Sequence, residues 1–321
     1  MKTTLRSVCS MRILTLFFLL LVNSVSSQDK VKQLVDRTQN LKLDIWGLAE
    51  FAQENLTGDA ELARFFYHWI GRNIKYDYEY LAKMTARGSG LAEYKVKQDP
   101  YKVYTDRKGV CGGYANLFGW FMSEVNIEVA HVTGHIRDPR NLYSDELWST
   151  ENYRHAWNAV KLNGKWVLVD TTWGASLDPS QSDFYFDMKP EIAIYTHFPQ
   201  NSRWQLLKNP KSLGEFNSSK FVKPLWFASG FSDVPQFGKL KNYYYLTYKT
   251  NAKHNDFSIK LEISSDNLKY KPVKSVINTA QNGYAYVMFA KEQIPEKVFC
   301  KIHLYKADNL YHQNVIQFKT F

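Results

Sequence analysis

Three short segments, each built around one ionisable side chain, constrain this 321-residue chain most. They place Cys111 in KGVCGGYA, His155 in RHAWNAV and Asp170 in GKWVLVDTTW. A thiol, an imidazole and a carboxylate are the parts of a nucleophilic acyl-transfer site. The imidazolium stabilises the thiolate, and the carboxylate fixes the orientation of the imidazole. The three segments therefore predict a catalytic triad of Cys111, His155 and Asp170.

The residues around Cys111 predict its local structure. Apolar side chains at helical spacing follow it, so we expect a helix to begin near the thiol, with a dipole that lowers the thiol pKa. Gly112 and Gly113 carry no side chain beside the sulfur. We therefore expect a substrate carbonyl and backbone N–H donors to approach there.

A hairpin is predicted between the other two segments. His155 begins an alternating, strand-like run that reaches Asn163 and Gly164, a strong two-residue turn signal. The return strand ends in Asp170. Such a hairpin would present the base and its orienting carboxylate together to a thiol on a helix.

These segments resemble the transglutaminase-like superfamily of papain-type cysteine enzymes, which share the order Cys, His, Asp. The resemblance is closest to secreted transglutaminase-like and kyphoscoliosis-peptidase-type proteins. It extends upstream to FYHWIGRNIKYD and downstream to FYF, HFP and WQLL, and it covers about residues 45–226. It implies a papain-like α+β fold and a Cys111, His155, Asp170 triad, with no metal and no organic cofactor.

The resemblance also implies a protein or peptide substrate, attacked at a carboxamide or peptide carbonyl through a thioester. Water would resolve the thioester in a peptidase or amidase, and an amine would resolve it in a crosslinking transglutaminase. The sequence has no acidic cluster resembling the calcium sites of animal-type transglutaminases, so we favour hydrolysis. Protein-glutamine amine transfer and a non-catalytic adhesion or scaffold role remain the alternatives.

Further residues are candidates for substrate contact or for stabilising an oxyanion: Gly112, Trp69, Trp157 and Asn158. For Trp157, closing the core beneath the site is the more common role, and Asn158 has an equally simple structural role on its strand. Tyr76 is an alternative to Trp69 on the oxyanion side. No glutamine at short spacing before Cys111 can be assigned as the second oxyanion donor, which stays open. His131 lies four residues before His135, but the strand-like pattern around them argues against a metal site.

Residues 1–27 predict a secretory signal peptide and hence a secreted, periplasmic or extracellular protein. They contain three basic and no acidic residues, an apolar run over residues 13–22, and small residues before Gln28. That run is too short for stable membrane insertion, although an uncleaved anchor is the alternative. Cleavage would leave a formal charge of +7, three below the +10 of the full sequence. No long basic run or nucleic-acid motif occurs, so we expect no nucleic-acid partner.

Two cysteines would remain after that cleavage, Cys111 and Cys300, which is not a disulfide framework. Cys300 lies in an alternating run, where we expect it to be a small buried side chain. Pairing of the two thiols is the alternative.

The chain length predicts two domains. Residues 28–226 would form the catalytic domain with an N-terminal helical region, and the polar stretch over residues 80–106 reads as a loop framing the cleft. Short alternating runs separated by polar turns predict a small all-β, sandwich-like domain over residues 227–321. The oligomeric state and the natural substrate are not specified by these patterns.

Overall fold

A computed structural model describes residues 27–87, 91–137, 154–176 and 182–320, so the predicted signal peptide lies outside the described residues except for its last position. The α-helices are α1 (Ser27–Thr38), α2 (Ile45–Asn55), α3 (Asp59–Asn73), α4 (Tyr78–Arg87), α5 (Leu91–Lys97), α6 (Pro100–Asp106), α7 (Cys111–Glu124), α8 (Thr171–Ala175), α9 (Pro190–Ala193), α10 (Leu213–Ser218) and α11 (Pro224–Ala228). Short 3-10 helices lie at Ser182–Tyr185, Ser202–Gln205, Ala252–His254 and Lys291–Gln293.

The strands fall into four sheets. They are β1 (Lys75–Tyr76), β2 (Lys108–Gly109), β3 (Val129–Ile136), β4 (Arg154–Leu162), β5 (Lys165–Val169), β6 (Phe186–Met188), β7 (His197–Pro199), β8 (Phe221–Val222), β9 (Gln236–Lys239), β10 (Tyr243–Lys249), β11 (Phe257–Ser264), β12 (Lys271–Val273), β13 (Ile277–Gln281), β14 (Tyr284–Ala290), β15 (Phe299–Lys306) and β16 (Asn309–Lys319). The N-terminal half combines helices with mainly antiparallel strands, and the C-terminal half consists mostly of antiparallel strands, which confirms the predicted α+β class.

Two long helices, α3 and α7, form the centre of the N-terminal half. Phe66 on α3 stacks on Phe121 of α7, with ring centroids 4.3 Å apart, and both side chains are fully buried. The apolar face of α3 also contacts α1 and α8. This packing fixes α7, which begins at Cys111, against the rest of the domain.

The described residues of the stretch over residues 80–106 lie mostly in the helices α4, α5 and α6, so the predicted loop is wrong. The prediction relied on low hydrophobicity, but α4 and α6 are stabilised at their ends instead. Asp77 accepts a hydrogen bond from the backbone N–H of Tyr80, and Asp99 accepts from those of Tyr101 and Lys102. Pro100 at the first position of α6 is favourable there because it has no N–H to leave unpaired.

The predicted hairpin is present and forms the middle of a five-stranded antiparallel sheet. The strand order is β6-β5-β4-β3-β7, and Leu162 pairs with Lys165 across the turn. Asn163 and Gly164 both have positive φ, 49° and 79°, as a type I′ turn requires. Helix α7 packs on β3 and β4, so the sheet centre lies beneath the helix.

The C-terminal half contains two antiparallel sheets that share one apolar core. Their orders are β13-β14-β10-β9 and β12-β11-β15-β16-β8. Leu246 and Val287 of the first sheet and Leu261 and Ile302 of the second are buried in the same cluster. This arrangement is the predicted sandwich.

The change from one core to the other comes slightly before residue 227, the predicted first residue of the β domain. Strand β8 pairs with β16, and Val222 and Trp226 are buried in the C-terminal core. The two halves are in contact, since Tyr195 packs on Phe227 with ring centroids 5.9 Å apart. Arg137, which is buried, donates to the carbonyl oxygens of Ser219 and Lys220 at 2.7 and 3.0 Å.

The two histidines of the HVTGH segment and the two thiols lie where the sequence patterns predicted. His131 and His135 lie on β3, as the strand-like pattern indicated. Cys300 is fully buried on β15, and both it and Cys111 are free thiols. Within the described ranges, no helix combines the length and apolar character that a membrane crossing requires.

Candidate active site

The thiol of Cys111 lies at the first residue of α7, as predicted. The segment before it is fixed by a short parallel pair of strands, in which Tyr76 is opposite Gly109. The backbone N–H of Val110 donates to Gln98 Oε1 at 2.9 Å. The helix start therefore has a defined position, and the Cys111 side chain is only partly exposed.

The hairpin brings His155 to Asp170. His155 Nε2 lies 2.8 Å from Asp170 Oδ2, and both side chains are buried. The other oxygen, Oδ1, accepts hydrogen bonds from the backbone N–H groups of Thr172 and Trp173 at 2.9 and 3.0 Å. Asp170 is thus also the N-cap of α8, which fixes the carboxylate in one orientation.

The thiol completes this cluster from the helix side. Cys111 forms a side-chain hydrogen bond with His155, and the sulfur also accepts one from the backbone N–H of Ala156. Because His155 Nε2 faces the carboxylate, Nδ1 is the ring nitrogen left for the sulfur. The structure therefore brings all three predicted triad residues together.

The pKa values favour an ion pair between these groups. Burial alone would raise the pKa of the Cys111 thiol, but the hydrogen bond and charge of His155 outweigh burial and lower it. Burial would lower the pKa of His155, but the Asp170 carboxylate raises it to about 10. Burial would raise the pKa of Asp170, but His155 and then His197 hold it well below its usual range. At neutral pH this arrangement favours thiolate, imidazolium and carboxylate.

Trp157 and Asn158 support the site from inside the core. Trp157 is 1% exposed, and its ring lies nearly parallel to that of His155, with centroids 6.0 Å apart. Asn158 is buried and donates from Nδ2 to the carbonyl oxygen of Ala115 at 3.2 Å, tying β4 to α7. Both contacts fit the structural role that was the alternative, and the candidate substrate roles of the two side chains stay predictions.

Trp69 lies in the core and not beside the thiol, so its predicted oxyanion role has no support in this structure. Its ring stacks on Tyr104 at 5.1 Å and packs on Phe121. Phe121 is ten residues along α7 from Cys111, which is about 15 Å at 1.5 Å per residue. Helical spacing placed Trp69 on the apolar face of α3 but could not show which end of α7 that face contacts.

Gly112 and Gly113 are required by neighbouring side chains of the protein, not by open space for a substrate. A Cβ on Gly112 would overlap the Tyr94 hydroxyl, and one on Gly113 would overlap Gln98 Oε1. Both glycines are buried. The expected approach route beside the sulfur is therefore filled by α5 and by Gln98, at the residue after its end.

The site contains two further polar groups, of which the sequence indicated Tyr76 only as an alternative to Trp69 and gave His197 no role. The phenol oxygen of Tyr76 accepts a hydrogen bond from the backbone N–H of Cys111. His197 Nε2 lies 3.0 Å from Asp170 Oδ2, the same oxygen that contacts His155. The sequence showed His197 only as part of the HFP segment, and nothing local to it indicates a contact with Asp170.

His155, Asp170 and His197 also have the residue types of a metal site. Their ligand atoms lie within 4.8 Å of one another. However, hydrogen bonds from both rings to one carboxylate oxygen explain this spacing, and each ring nitrogen that would bind an ion already faces that oxygen. The geometry therefore fits a hydrogen-bonded cluster of side chains better than a set of metal ligands.

Comparison with known proteins identifies the fold around this cluster. Residues 48–171 match the family model of the transglutaminase-like superfamily. Kyphoscoliosis peptidase of Mus musculus is 34% identical over 197 residues, which is 57% of this chain and 28% of that protein. The Homo sapiens protein of that name is 32% identical over 217 residues, 61% of this chain and 31% of that protein.

A third relative is the Lim and transglutaminase domain protein ltd-1 of Caenorhabditis elegans, 30% identical over 166 residues, 46% of this chain and 22% of that protein. The chain thus spans less than a third of the length of each of these relatives. The matched family region contains Cys111, His155 and Asp170 and ends just after the hairpin. The family model and the two kyphoscoliosis peptidase matches therefore support the predicted resemblance to the transglutaminase-like superfamily over this part of the chain.

Proposed function

We propose that this protein is a cysteine acyl-transfer enzyme that hydrolyses a peptide or carboxamide bond in a protein or peptide substrate. The observation that carries the proposal is the alignment of Cys111, His155 and Asp170, with the 2.8 Å contact between the imidazole and the buried carboxylate. The lowered pKa of Cys111 and the raised pKa of His155 support it, since they favour a nucleophilic thiolate beside a proton donor.

In the first half of the reaction, the Cys111 thiolate attacks the carbonyl carbon of the substrate amide. A carbon–sulfur bond forms, and the carbonyl electron pair moves onto oxygen. The tetrahedral intermediate then expels the amine, which takes the proton from His155 Nδ1. The products of this half are a thioester on Cys111, a free amine and a neutral His155.

Tyr76 is suited to stabilise the oxyanion in this step. Its hydroxyl lies at the backbone N–H of Cys111, which has no partner within the helix because Cys111 is the first helical residue. Burial raises the pKa of Tyr76 well above its usual value, so the phenol stays protonated and its O–H can donate a hydrogen bond. The Tyr76 O–H therefore supplies one donor for an oxyanion hole, and the Cys111 N–H, which donates to the Tyr76 oxygen, holds that hydroxyl in place.

In the second half, neutral His155 takes a proton from water as the water attacks the thioester. The carbon–sulfur bond breaks, the acid product leaves, and the thiolate and imidazolium are restored. An amine in place of water would give transfer. The name peptidase, carried by the mouse and human relatives, supports hydrolysis for this chain.

Unbiased peptide digestion can test this proposal. The intact protein would be incubated in ¹⁸O-labelled water with a proteome-derived peptide mixture, in parallel with a reaction containing dansylcadaverine. We expect new carboxyl groups that carry ¹⁸O and are absent with the Cys111→Ala variant. Dansylated glutamine dependent on Cys111 would replace hydrolysis by amine transfer, and the absence of both products would favour a non-catalytic scaffold role.

A further inference from the structure

Two histidines share one oxygen of Asp170. Nε2 of His155 and Nε2 of His197 lie 2.8 and 3.0 Å from Oδ2, and their ring centroids are 5.8 Å apart. The other oxygen accepts two backbone N–H groups. Four donors therefore hold a carboxylate that has no exposure to solvent.

Only one of these two rings can carry a positive charge under ordinary conditions, because two imidazolium ions so close together repel each other. His155 also contacts the Cys111 sulfur, and a thiolate favours a charged ring there. Among the described residues, Asp170 is the one anion that acts on His197. Burial lowers the pKa of His197, and the contact with Asp170 does not offset that effect. His197 is therefore the neutral ring.

The tautomer of His197 follows from its contact with Asp170, and its other neighbour, Thr196, completes the hydrogen bonding of the ring. Thr196 Oγ1 lies 2.9 Å from His197 Nδ1 and 3.4 Å from the carbonyl oxygen of Ala193. Asp170 can only accept, so a neutral His197 must carry its proton on Nε2. Nδ1 then accepts the shorter hydrogen bond from the Thr196 hydroxyl. The hydrogen-bond network thus defines a directed chain from Thr196 through His197 to Asp170.

We infer that His197 is a positioning residue for the triad: a neutral imidazole whose Nε2–H holds the Asp170 carboxylate ionised and at the angle that orients His155. The inference rests on the proposed function for its catalytic meaning. His197 is 2% exposed, so a substrate does not reach it. Rings of Trp157 and Trp173 lie 5.1 and 4.6 Å from it and keep water from its contact with the carboxylate.

The position of His197 on the sheet explains how a segment far along the chain from Asp170 supplies the N–H donor. His197 begins β7, the edge strand that pairs with β3 through Gly134, His135 and Ile136. Strand β3 pairs on its other side with β4, which carries His155. Two neighbouring strand pairings therefore set the separation of the two histidines.

The first test reads protonation directly and does not depend on catalysis. In ¹⁵N-histidine-labelled protein, NMR would assign the ring nitrogens of His197 from pH 5 to 8, in the wild type and in Cys111→Ala. We expect a protonated Nε2 and an unprotonated Nδ1 throughout, in both proteins. An imidazolium or an Nδ1–H tautomer within that range would overturn the inference, whether or not the protein proves to be an enzyme.

The second test measures the consequence for the thiol. His197→Gln retains an N–H donor, whereas His197→Leu removes it and leaves the buried carboxylate easier to protonate or to rotate. We expect iodoacetamide alkylation of Cys111 at pH 6 to stay within about threefold of wild type for Gln. For Leu we expect a loss of roughly tenfold or more, since one pKa unit changes the thiolate fraction tenfold at low pH. Equal profiles for Leu and wild type would contradict a positioning role.

His303 offers a matched control. It is a buried histidine whose Nε2 lies 3.1 Å from Glu262 Oε2 in the β domain, far along the chain from the triad. His303→Leu should lower thermal stability without moving the alkylation profile of Cys111. If His197→Leu does not fold, Thr196→Val replaces it: Asp170 should keep His197 in the single Nε2–H tautomer, while the Nδ1 resonance shifts because Nδ1 has lost its hydrogen bond. An Nδ1–H tautomer or an unchanged Nδ1 resonance in that variant would contradict the directed chain.

A failure of the proposed function would show in a different measurement from a failure of the inference about His197. Wild-type Cys111 would then alkylate like an ordinary thiol, while the NMR result for His197 would stand or fall by itself.

Discussion

Asp170 is the residue on which the charge distribution of the site depends. One of its oxygens caps α8 and the other faces His155 and His197. A carboxylate with no solvent exposure stays ionised only when such donors surround it. Removing the charge of Asp170 should therefore change the pKa of the Cys111 thiol, which is two hydrogen bonds away.

Replacement of Asp170 by Asn tests that dependence. The amide oxygen can still accept from the backbone N–H groups of α8, but the amide NH₂ would face two N–H donors. We expect the variant to fold with a loss of about 1–3 kcal/mol in unfolding free energy. Turnover should fall roughly 10³- to 10⁴-fold, because His155 loses its orientation and charge. Denaturation and steady-state kinetics measure the two effects, and unchanged turnover would remove Asp170 from the mechanism.

The Tyr76→Phe variant tests whether Tyr76 stabilises the oxyanion or acts on the Cys111 thiol. Loss of the hydroxyl should reduce turnover by about 10²-fold, the usual effect of deleting one oxyanion donor. Alkylation of Cys111 should change little, because the pKa of the thiol is set mainly by burial and His155. Parallel turnover and alkylation assays would show this divergence. An equal loss in both assays would mean that Tyr76 acts on the thiol and not on the oxyanion.

At the scale of elements, the β4–β5 hairpin was predictable because its turn signal and both strands lie within 16 consecutive residues. The start of α7 was predictable for the same reason. The three short helices between residues 78 and 106 were not predictable, because the stretch has low hydrophobicity and two of the helices are stabilised by caps at Asp77 and Asp99. His197 lies 27 residues after Asp170, and only the β3–β7 pairing brings them together.

The turn of that hairpin gives an element-scale prediction. Gly164 has φ of 79°, where an L-residue is strained, so Gly164→Ala should destabilise the protein by about 1–2 kcal/mol. Turnover should fall as well if the turn sets the register that brings His155 to Asp170. Thermal unfolding and activity would be compared with Gly214→Ala, a helical glycine with open space around it. That control should be neutral or slightly stabilising, and equal losses in the two variants would contradict the role of the turn.

At the scale of the whole molecule, the β domain supports the segment that carries His197. Phe184, Ile192 and Tyr195 belong to this segment and pack against the C-terminal core. Arg137, next to the end of β3, donates to two carbonyl oxygens just before β8. The C-terminal half thus stabilises the edge of the catalytic sheet.

Arg137→Met should show how strongly this junction couples the halves. The partly buried carbonyl oxygens of Ser219 and Lys220 would lose a charged donor, at a cost of about 2–3 kcal/mol in unfolding free energy. Arg203→Met is the matched control, because Arg203 is exposed and stacks on Trp204. That change should cost less than about 1 kcal/mol. Similar unfolding curves for both variants would contradict a structural junction at Arg137.

The most direct test of the account is the pH dependence of iodoacetamide alkylation at Cys111, in wild type and in His155→Gln. Thiolate is present above the thiol pKa, which His155 lowers, so wild-type labelling should already be fast well below pH 8.5. In the variant, the profile should move up to the ordinary thiol range or beyond. Cys300 is the internal reference, since burial raises its pKa to about 12 and it should stay unlabelled in the folded protein. Labelling that rises only near pH 8.5 in wild type, with no effect of His155→Gln, would contradict an activated Cys111.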